Sequence, residues 1–155
     1  MKGKETHTVY LGLGSNLGDR QSTIEQAIKL IGMYVGMVSR RSSLIETEPW
    51  GFDSENRFLN GVVCCETMLS PREVLSKTQR IERELGRKKK TSSARAYRDR
   101  PIDIDILLYD DLKIDEPDLK IPHPLMWERD FVMIPLREIA DAQIMRAFPE
   151  IFAPK

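Results

Sequence analysis

The chain is short of cysteine and contains no long apolar run. Its two cysteines, Cys64 and Cys65, are adjacent and lack the spacing of metal ligands, so buried, reduced thiols are expected. No segment approaches the roughly 20 apolar residues that cross a bilayer, and the first residues lack the apolar core of a signal peptide. These absences predict a cytoplasmic protein that makes no membrane contact.

The chain also has no excess of charge of either sign. Lysine plus arginine and aspartate plus glutamate number 24 each, which gives a formal net charge of zero. A neutral chain has no overall field that would attract nucleic acid. We find no internal repeat and no low-complexity segment, so residues 1–155 are predicted to form a single domain.

Apolar and acidic residues alternate in residues 102–106, and the apolar residues continue to residue 108. A strand with this pattern directs its two kinds of side chain to opposite faces. Asp103 and Asp105 then lie side by side, with Cα atoms roughly 6.5–7 Å apart. Because two adjacent carboxylates repel each other, a divalent cation such as Mg²⁺ would stabilise them. The alternative is a strand with one solvated acidic face. On the other face we expect Ile102, Ile104, Ile106 and Leu108.

Two amphipathic helices are predicted from their capping residues. The first begins near Asp19 and ends at Gly36. The second begins at Ser70, which forms a capping box with Glu73, and it ends at Gly86. Strands are predicted over residues 8–13, 38–46, 58–66 and 102–108. Residues 114–121 are expected to be irregular, residues 136–140 to form a last short helix, and the following tail to have no clear period.

The resulting order, β-α-β-β-α-β, predicts a ferredoxin-like α+β sandwich. In this fold an antiparallel sheet carries its helices on one face, and the active-site cleft with its loops would lie on the other.

Several polar and aromatic residues have both a structural and a functional interpretation. Trp50 is a loop residue that either packs on the core or contacts a flat ring. Asn60 suits a turn or the edge of a heterocycle. Glu82, near a helix end, either makes an exposed ion pair or serves a site. His123 lies between two prolines and is either structural or a fixed imidazole. The basic residues 87–100 form a solvated loop or bind phosphate.

These motifs occur in one order along the chain: residues 10–18 (YLGLGSNLG), residues 78–82 (TQRIE), Arg100-x-x-Asp103-x-Asp105, and residues 122–124 (PHP). Their combination closely resembles the 6-hydroxymethyl-7,8-dihydropterin pyrophosphokinase family of folate biosynthesis. The resemblance implies transfer of pyrophosphate from ATP to the pterin, giving the pterin diphosphate and AMP. The expected partners are therefore ATP and the pterin, without nucleic acid or membrane, and the protein is expected to be a monomer.

The resemblance also implies roles for individual residues. Asp103 and Asp105 would bind two Mg²⁺ ions, and with Arg87 and Arg100 they would form the catalytic group. Residues that match the nucleotide site are Glu82, Arg87, Arg100, Ile106, His123 and Arg129. Residues that match the pterin site are Gly14, Thr47, Trp50, Phe58, Asn60 and Phe131.

The chain departs from the family pattern mainly in residues 87–100, which form a longer segment with Tyr97-Arg98-Asp99-Arg100 where Trp-Gly-Pro-Arg is common. The roles of Lys89, Lys90, Tyr97 and Arg98 are left open.

Two other functions compete with this interpretation. A nucleic-acid-binding module of the same fold would need stacking aromatics on its central strands, and residues 58–65 lack that signature. A different Mg²⁺-dependent transferase, acting on nucleotidyl or glycosyl groups, would share the D-x-D motif but not the aromatic and asparagine pocket.

Overall fold

A computed structural model describes residues 5–47, 57–87 and 101–152, with only the backbone described for Arg87. The main elements are β1 His7–Ser15, α1 Arg20–Tyr34, β2 Gly36–Arg41, β3 Ile45–Thr47, β4 Phe58–Thr67, α2 Pro71–Glu82, β5 Asp103–Tyr109, β6 Ile114–Glu116, β7 Leu119–Ile121, α3 Asp130–Ile139, α4 Ala142–Ala147 and α5 Pro149–Phe152. None of the helices described is long and apolar enough to cross a membrane.

The main sheet is antiparallel, with the order β2-β4-β1-β5, and β3 also pairs with β4. This order confirms the predicted ferredoxin-like α+β fold. Among the strands described, β5 pairs with β1 on one side only and therefore forms an edge of the sheet. The short strands β6 and β7 form a separate hairpin where irregular structure was predicted, so that prediction was wrong for residues 114–121.

The helices α1 and α2 cover one side of the sheet, which we call the α1/α2 face. Their apolar residues, including Ile24, Ile31, Val74 and Ile81, join Leu11 and other strand residues in one buried cluster. Both predicted N-caps are confirmed. The Ser22 N–H donates to Asp19, and the Ser70 capping box with Glu73 is complete.

Gly36 directly follows Val35, the C-cap of α1, so the helix ends at the predicted place, but Gly36 has no positive φ. It begins β2, and a Cβ at this position would lie 1.9 Å from the Glu66 carbonyl oxygen. The glycine is thus required by strand contact. Gly86 is different: its φ of 139° lies in the range that favours glycine, and it ends the helical turn Arg83–Arg87 that follows α2.

The C-terminal helices α3, α4 and α5 cover part of the opposite face of the sheet. Their buried residues pack with Tyr10, Val62 and Cys64 in a second cluster. Cys65 belongs to the first cluster, so the two thiols point to opposite faces, and both are buried and free, as predicted.

The predicted last helix, over residues 136–140, was placed too late. The α3 helix begins at Asp130 and continues through Pro135. Pro135 is the sixth residue of α3 and cannot donate a hydrogen bond to the Phe131 carbonyl. The helix continues nevertheless, because Val132, Leu136 and Ile139 bury one apolar side of it. The tail also forms α4, for which Asp141 is the N-cap, with its carboxylate accepting from the Ile144 N–H.

The predicted strand over residues 38–46 is interrupted. Residues 42–44 separate β2 from β3, although both strands pair with β4. Ser42 keeps contact with β4 across the break, because its N–H donates to the Val62 carbonyl and its Oγ accepts from the Val62 N–H.

The alternation along β5 holds only as far as Ile106. The register with β1 shifts between Ile106 and Leu108, so that Leu107 is the extra residue of a bulge. Ile104 and Ile106 lie in the α1/α2 cluster, but Leu108 lies in the second cluster with Leu107. The prediction that Leu108 shares a face with the isoleucines was therefore wrong, because both faces of the sheet are apolar at this end.

Candidate active site

Three adjacent strands bring an amide, a glycine and a carboxylate together at one end of the sheet. Gly14 of β1 is in register with Asn60 of β4 on one side and with Asp103 of β5 on the other. Gly12, two residues earlier, is in register with Asp105. Since neighbouring strands lie about 4.7–4.9 Å apart, Asn60 and Asp103 are separated by roughly 10 Å across the glycine. The candidate pterin and metal residues therefore lie next to each other.

Glycine at position 14 makes room for its neighbours. A Cβ there would lie 2.9 Å from the Asn60 Oδ1 and 3.4 Å from Cδ1 of the Phe58 ring. Both side chains consequently extend over the backbone of β1. At Gly12, two residues earlier, the Leu107 side chain lies over the strand, since a Cβ there would be 3.5 Å from the Leu107 Cδ1.

The amide of Asn60 is held in one orientation by Thr47. The Asn60 Nδ2 donates to the Thr47 Oγ1 at 2.7 Å, and the Asn60 side chain is buried. Thr47 is also in register with Phe58. The pairing of β3 with β4 thus brings together three predicted pterin residues, Thr47, Phe58 and Asn60. With Nδ2 engaged, Oδ1 is the atom that faces Gly14 and is available to accept from a ligand donor.

Asp103 and Asp105 are half-buried and lie on the face opposite α1 and α2, as predicted. Gly14 and Gly12 are their neighbours on β1, so no side chain from that strand fills the space beside them. Carboxylate oxygens fit hydrated Mg²⁺, which takes one or two carboxylates and completes its shell with water and phosphate. Within the described ranges, no group of three or more His, Cys, Asp or Glu side chains could hold a metal ion.

His123 is fixed beside these carboxylates. The backbone N–H of His123 donates to the Leu107 carbonyl at 3.1 Å. The ring Nδ1 accepts from the backbone N–H of Leu125 at 3.4 Å. Burial, together with the nearby charge of Arg129, lowers the pKa of His123 from 6.5 to about 4, against the opposite effect of Asp103. The imidazole is consequently neutral near pH 7.

Arg129 and Phe131 lie at the start of α3. Arg129 is 9% exposed, and its guanidinium carbon lies 5.6 Å from the centroid of the Phe131 ring. Phe131 is half-buried at the edge of the second cluster. Both lie on the side of the sheet that carries Asn60 and Asp103.

Glu82 is buried, so the exposed ion pair that we weighed for it was wrong. It is 7% exposed, and its Oε2 accepts from the Ile104 N–H at 2.8 Å. Ile104 stands between the two aspartates. The structure thus brings Glu82 to the strand that carries the metal ligands, by a contact that sequence analysis missed.

Gly86 and Pro101 are also in contact, since a Cβ on Gly86 would lie 2.7 Å from the Pro101 Cγ. In the sequence, these residues immediately precede Arg87 and follow Arg100. The Arg87 side chain, Arg100 and Trp50 lie outside the described residues, as do Lys89, Lys90, Tyr97 and Arg98.

Ile106, which was also predicted for the nucleotide site, directs its side chain to the α1/α2 face. Its side chain is 6% exposed and packs in the cluster on the α1/α2 face, away from Asp103 and Asp105. The strand directs alternate residues to opposite faces, so the nucleotide contact of Ile106 stays a prediction that its side-chain position does not test.

Comparison with known proteins gives one consistent family. The model of the 7,8-dihydro-6-hydroxymethylpterin-pyrophosphokinase family matches residues 10–141. A 2-amino-4-hydroxy-6-hydroxymethyldihydropteridine pyrophosphokinase of Porphyromonas gingivalis is 52% identical over 133 residues, which are 85% of this chain and 90% of that protein. A protein of the same name from Aquifex aeolicus is 45% identical over 132 residues, 85% of this chain and 79% of that protein.

A solved structure has the same fold. The crystal structure of Plasmodium falciparum HPPK-DHPS wild type with pterin and p-hydroxybenzoate gives a TM-score of 0.65 at 18% identity over 86% of this chain. This chain spans only 38% of the length of that one. The matched residues 10–141 include every candidate site residue, from Gly14 to Phe131. The chain belongs to the 7,8-dihydro-6-hydroxymethylpterin-pyrophosphokinase family.

Proposed function

We infer that this protein transfers pyrophosphate from ATP to the hydroxymethyl group of 6-hydroxymethyl-7,8-dihydropterin, producing the pterin diphosphate and AMP for folate biosynthesis. The observation that carries this inference is the register of Gly14 with Asn60 on one side and Asp103 on the other. A heterocycle held at Asn60 would place its hydroxymethyl substituent toward the aspartates. Polyphosphate held at the aspartates would then meet it over the bare backbone of β1.

We propose that the pterin ring lies against aromatic side chains while its polar edge meets Asn60. The Thr47 hydroxyl supports this by holding the Asn60 amide, which leaves Oδ1 to accept from a ring N–H or amino group. A fixed amide discriminates against rings that lack the matching donor, because its buried oxygen would then be unpaired. The proposed ring contacts are Gly14, Trp50, Phe58 and Phe131.

We propose that Asp103 and Asp105 hold two Mg²⁺ ions together with the triphosphate of ATP. Bound there, Mg²⁺ would offset the charge that develops on the transferring group. The two carboxylates orient the phosphates toward the pterin, since their side chains share the face on which Gly14 and Asn60 lie. Displacement would proceed by attack of the pterin hydroxyl oxygen on the β-phosphorus, which breaks the bond from that phosphorus to the AMP oxygen.

The nucleotide would extend toward His123 and Arg129. The neutral His123 ring can donate or accept a hydrogen bond but adds no positive charge, so Arg129 supplies the charge at this side of the site. We propose that Arg87 and Arg100 contact the phosphates, which is favoured by the Gly86–Pro101 contact beside them in the chain.

We further propose that residues 1–155 form one pyrophosphokinase domain, which acts as a cytoplasmic monomer without nucleic acid or membrane partners. Analytical ultracentrifugation at assay concentrations would test the monomer, with a two-fold larger mass as the contrary result.

The function is tested by incubating the purified protein with ATP, Mg²⁺ and 6-hydroxymethyl-7,8-dihydropterin and separating the nucleotides. Production of AMP that requires both the pterin and Mg²⁺ is expected. The control without pterin should leave ATP unchanged. Formation of ADP, or no turnover at all, would overturn the proposal and favour a different Mg²⁺-dependent transferase.

A further inference from the structure

We propose that Glu82 is a positioning residue, which holds the Asp103–Asp105 segment in place through the Ile104 N–H and does not contact the nucleotide. The inference deepens the proposed function, on which it rests for the role of the two aspartates as Mg²⁺ ligands. It starts from one contact: Glu82 Oε2 accepts from the Ile104 N–H at 2.8 Å, and Glu82 is 7% exposed.

The hydrogen bond between Glu82 and Ile104 satisfies an N–H group that would pair with a further strand if β5 were not at the edge of the sheet. Within the described part of the chain, β5 pairs only with β1, so alternate N–H groups of β5 point away from the sheet. The Ile104 N–H is one of these, and Ile104 is buried. A buried N–H requires an acceptor, and the carboxylate of Glu82 supplies one that is stronger than a neutral carbonyl.

The bonded peptide is the one that joins Asp103 to Ile104, and Asp105 follows directly. Any shift of this peptide away from α2 would carry both aspartates with it, because consecutive Cα atoms are held about 3.8 Å apart. Partners that hold the ligands of a metal commonly affect metal affinity roughly 10–100-fold when they are removed. Through its one hydrogen bond to the Ile104 N–H, Glu82 would position both Asp103 and Asp105.

Glu82 also approaches β5 from the side away from the aspartates. Its helix, α2, packs through Val74 and Ile81 into the cluster that contains the Ile104 side chain. Asp103 and Asp105 point to the other face. The position of Glu82 therefore favours contact with the backbone at the edge of β5 over contact with a ligand at the aspartates.

Helix stability does not explain the charge at this position. Glu82 is the last residue of α2, where the helix dipole disfavours a carboxylate, and the preceding residue, Ile81, is fully buried. An apolar residue at position 82 would satisfy the helix and the core. The hydrogen bond from the Ile104 N–H gives a buried glutamate at this position a structural role.

Three variants test the proposal. Glu82→Ala removes the acceptor, Glu82→Gln retains an acceptor oxygen without the charge, and Glu84→Ala is the matched control. Glu84 is an exposed glutamate two residues later, which pairs with Arg80 and Tyr34. The measurements are amide hydrogen exchange of Ile104 in the metal-free protein, the Mg²⁺ concentration for half-maximal AMP formation, and the pterin dissociation constant without nucleotide.

We expect the Ile104 amide to exchange about tenfold faster in Glu82→Ala. The half-maximal Mg²⁺ concentration should rise roughly 10–100-fold, while pterin affinity stays at the wild-type value. Glu82→Gln should resemble wild type more than Glu82→Ala in both the exchange rate and the Mg²⁺ dependence. Glu84→Ala should match wild type in all three measurements.

Two results would overturn the proposal. One is an unchanged Ile104 exchange rate in Glu82→Ala. The other is an equal loss in Glu82→Gln and Glu82→Ala, which would mean that the charge acts directly on a ligand or on another group. Failure of the proposed function is separate, because it would show as absence of AMP formation by the wild-type protein, whereas the exchange experiment needs no substrate.

Discussion

Gly14 and Asn60 face each other across β1 and β4, so closely that a Cβ at position 14 would lie 2.9 Å from the Asn60 Oδ1. The absence of a side chain at position 14 therefore leaves room for the amide oxygen, whose orientation Thr47 holds. That oxygen is proposed to accept a hydrogen bond from the polar edge of the pterin. Its distance from Asp103 follows from the same strand register.

Gly14→Ala should weaken pterin binding with little effect on nucleotide binding. The new methyl group must displace the Asn60 amide or the Phe58 ring, and overpacking of this kind costs about 1–3 kcal/mol, or roughly 5- to 150-fold in affinity. Titration calorimetry with pterin and, separately, with MgATP measures both effects. Gly12→Ala is the control, since a Cβ there makes only an ordinary 3.5 Å contact with Leu107. Equal pterin affinity in the Gly14 variant and wild type would contradict the proposed pocket.

Asp103→Asn and Asp105→Asn should each leave folding nearly intact but sharply reduce turnover. The packing of β5 against α1 and α2 is carried by Ile104 and Ile106, which neither change alters. Loss of one charge-stabilising group is commonly worth on the order of 3–4 kcal/mol in the transition state, or roughly a hundred- to thousand-fold in rate. Single-turnover kinetics and thermal unfolding give the two quantities. Turnover near wild type in both variants would place the metal elsewhere.

His123 should make the protein less stable as the pH falls from 6.5 to 4. In the folded protein the pKa of His123 is about 4, against 6.5 for an ordinary histidine, so in this interval the unfolded chain binds the proton more readily. The free energy of unfolding therefore decreases as the pH is lowered from 6.5. The decrease is complete only below pH 4, where His123 is protonated in both the folded and the unfolded protein. Each unit of difference between the folded and unfolded pKa is worth about 1.4 kcal/mol. The loss of unfolding free energy between pH 6.5 and 4 is therefore roughly 3 kcal/mol at most.

Urea unfolding of wild type and His123→Gln between pH 4 and 7 measures this contribution. We expect the difference in unfolding free energy between the two proteins to depend on pH, with wild type losing more stability toward pH 4. A constant difference across that range would show that the imidazole titrates normally in the folded state.

Replacement by alanine should have opposite effects on stability at Gly86 and at Gly32. Gly86 has a φ of 139°, and a Cβ there would lie 2.7 Å from Pro101, so Gly86→Ala should destabilise the protein by about 1–3 kcal/mol. Gly32 lies inside α1 with nothing within 4 Å of its Cβ position, and Gly32→Ala should stabilise by about 0.5–1 kcal/mol. Thermal unfolding compares them. A Gly86 variant as stable as wild type would mean that the turn before Arg87 tolerates a side chain.

Local chemistry was sufficient to predict the elements that build the site. The Ser70 capping box, the Asp19 cap and the alternation of Asp103 and Asp105 each depend on residues within one turn or one strand, and the structure confirms them. The pairing of β1 between β4 and β5 then followed from the order of the elements.

The features that were missed depend on residues distant in the chain. Glu82 meets Ile104 across 22 residues, and no local pattern indicates that a buried N–H needs it there. Leu108 left the isoleucine face because α3 and its neighbours supply a second apolar layer, which permits the bulge at Leu107.

The central claim is that one nucleophilic displacement moves two phosphates together, from a triphosphate held at Asp103 and Asp105 to a pterin held at Asn60. ATP labelled separately in its β- and γ-phosphates tests this most directly, with the wild-type protein, Mg²⁺ and 6-hydroxymethyl-7,8-dihydropterin. The account predicts both labels in the pterin product and one unlabelled AMP for each pterin consumed. A pterin carrying only the γ-label, with labelled ADP beside it, would contradict the account.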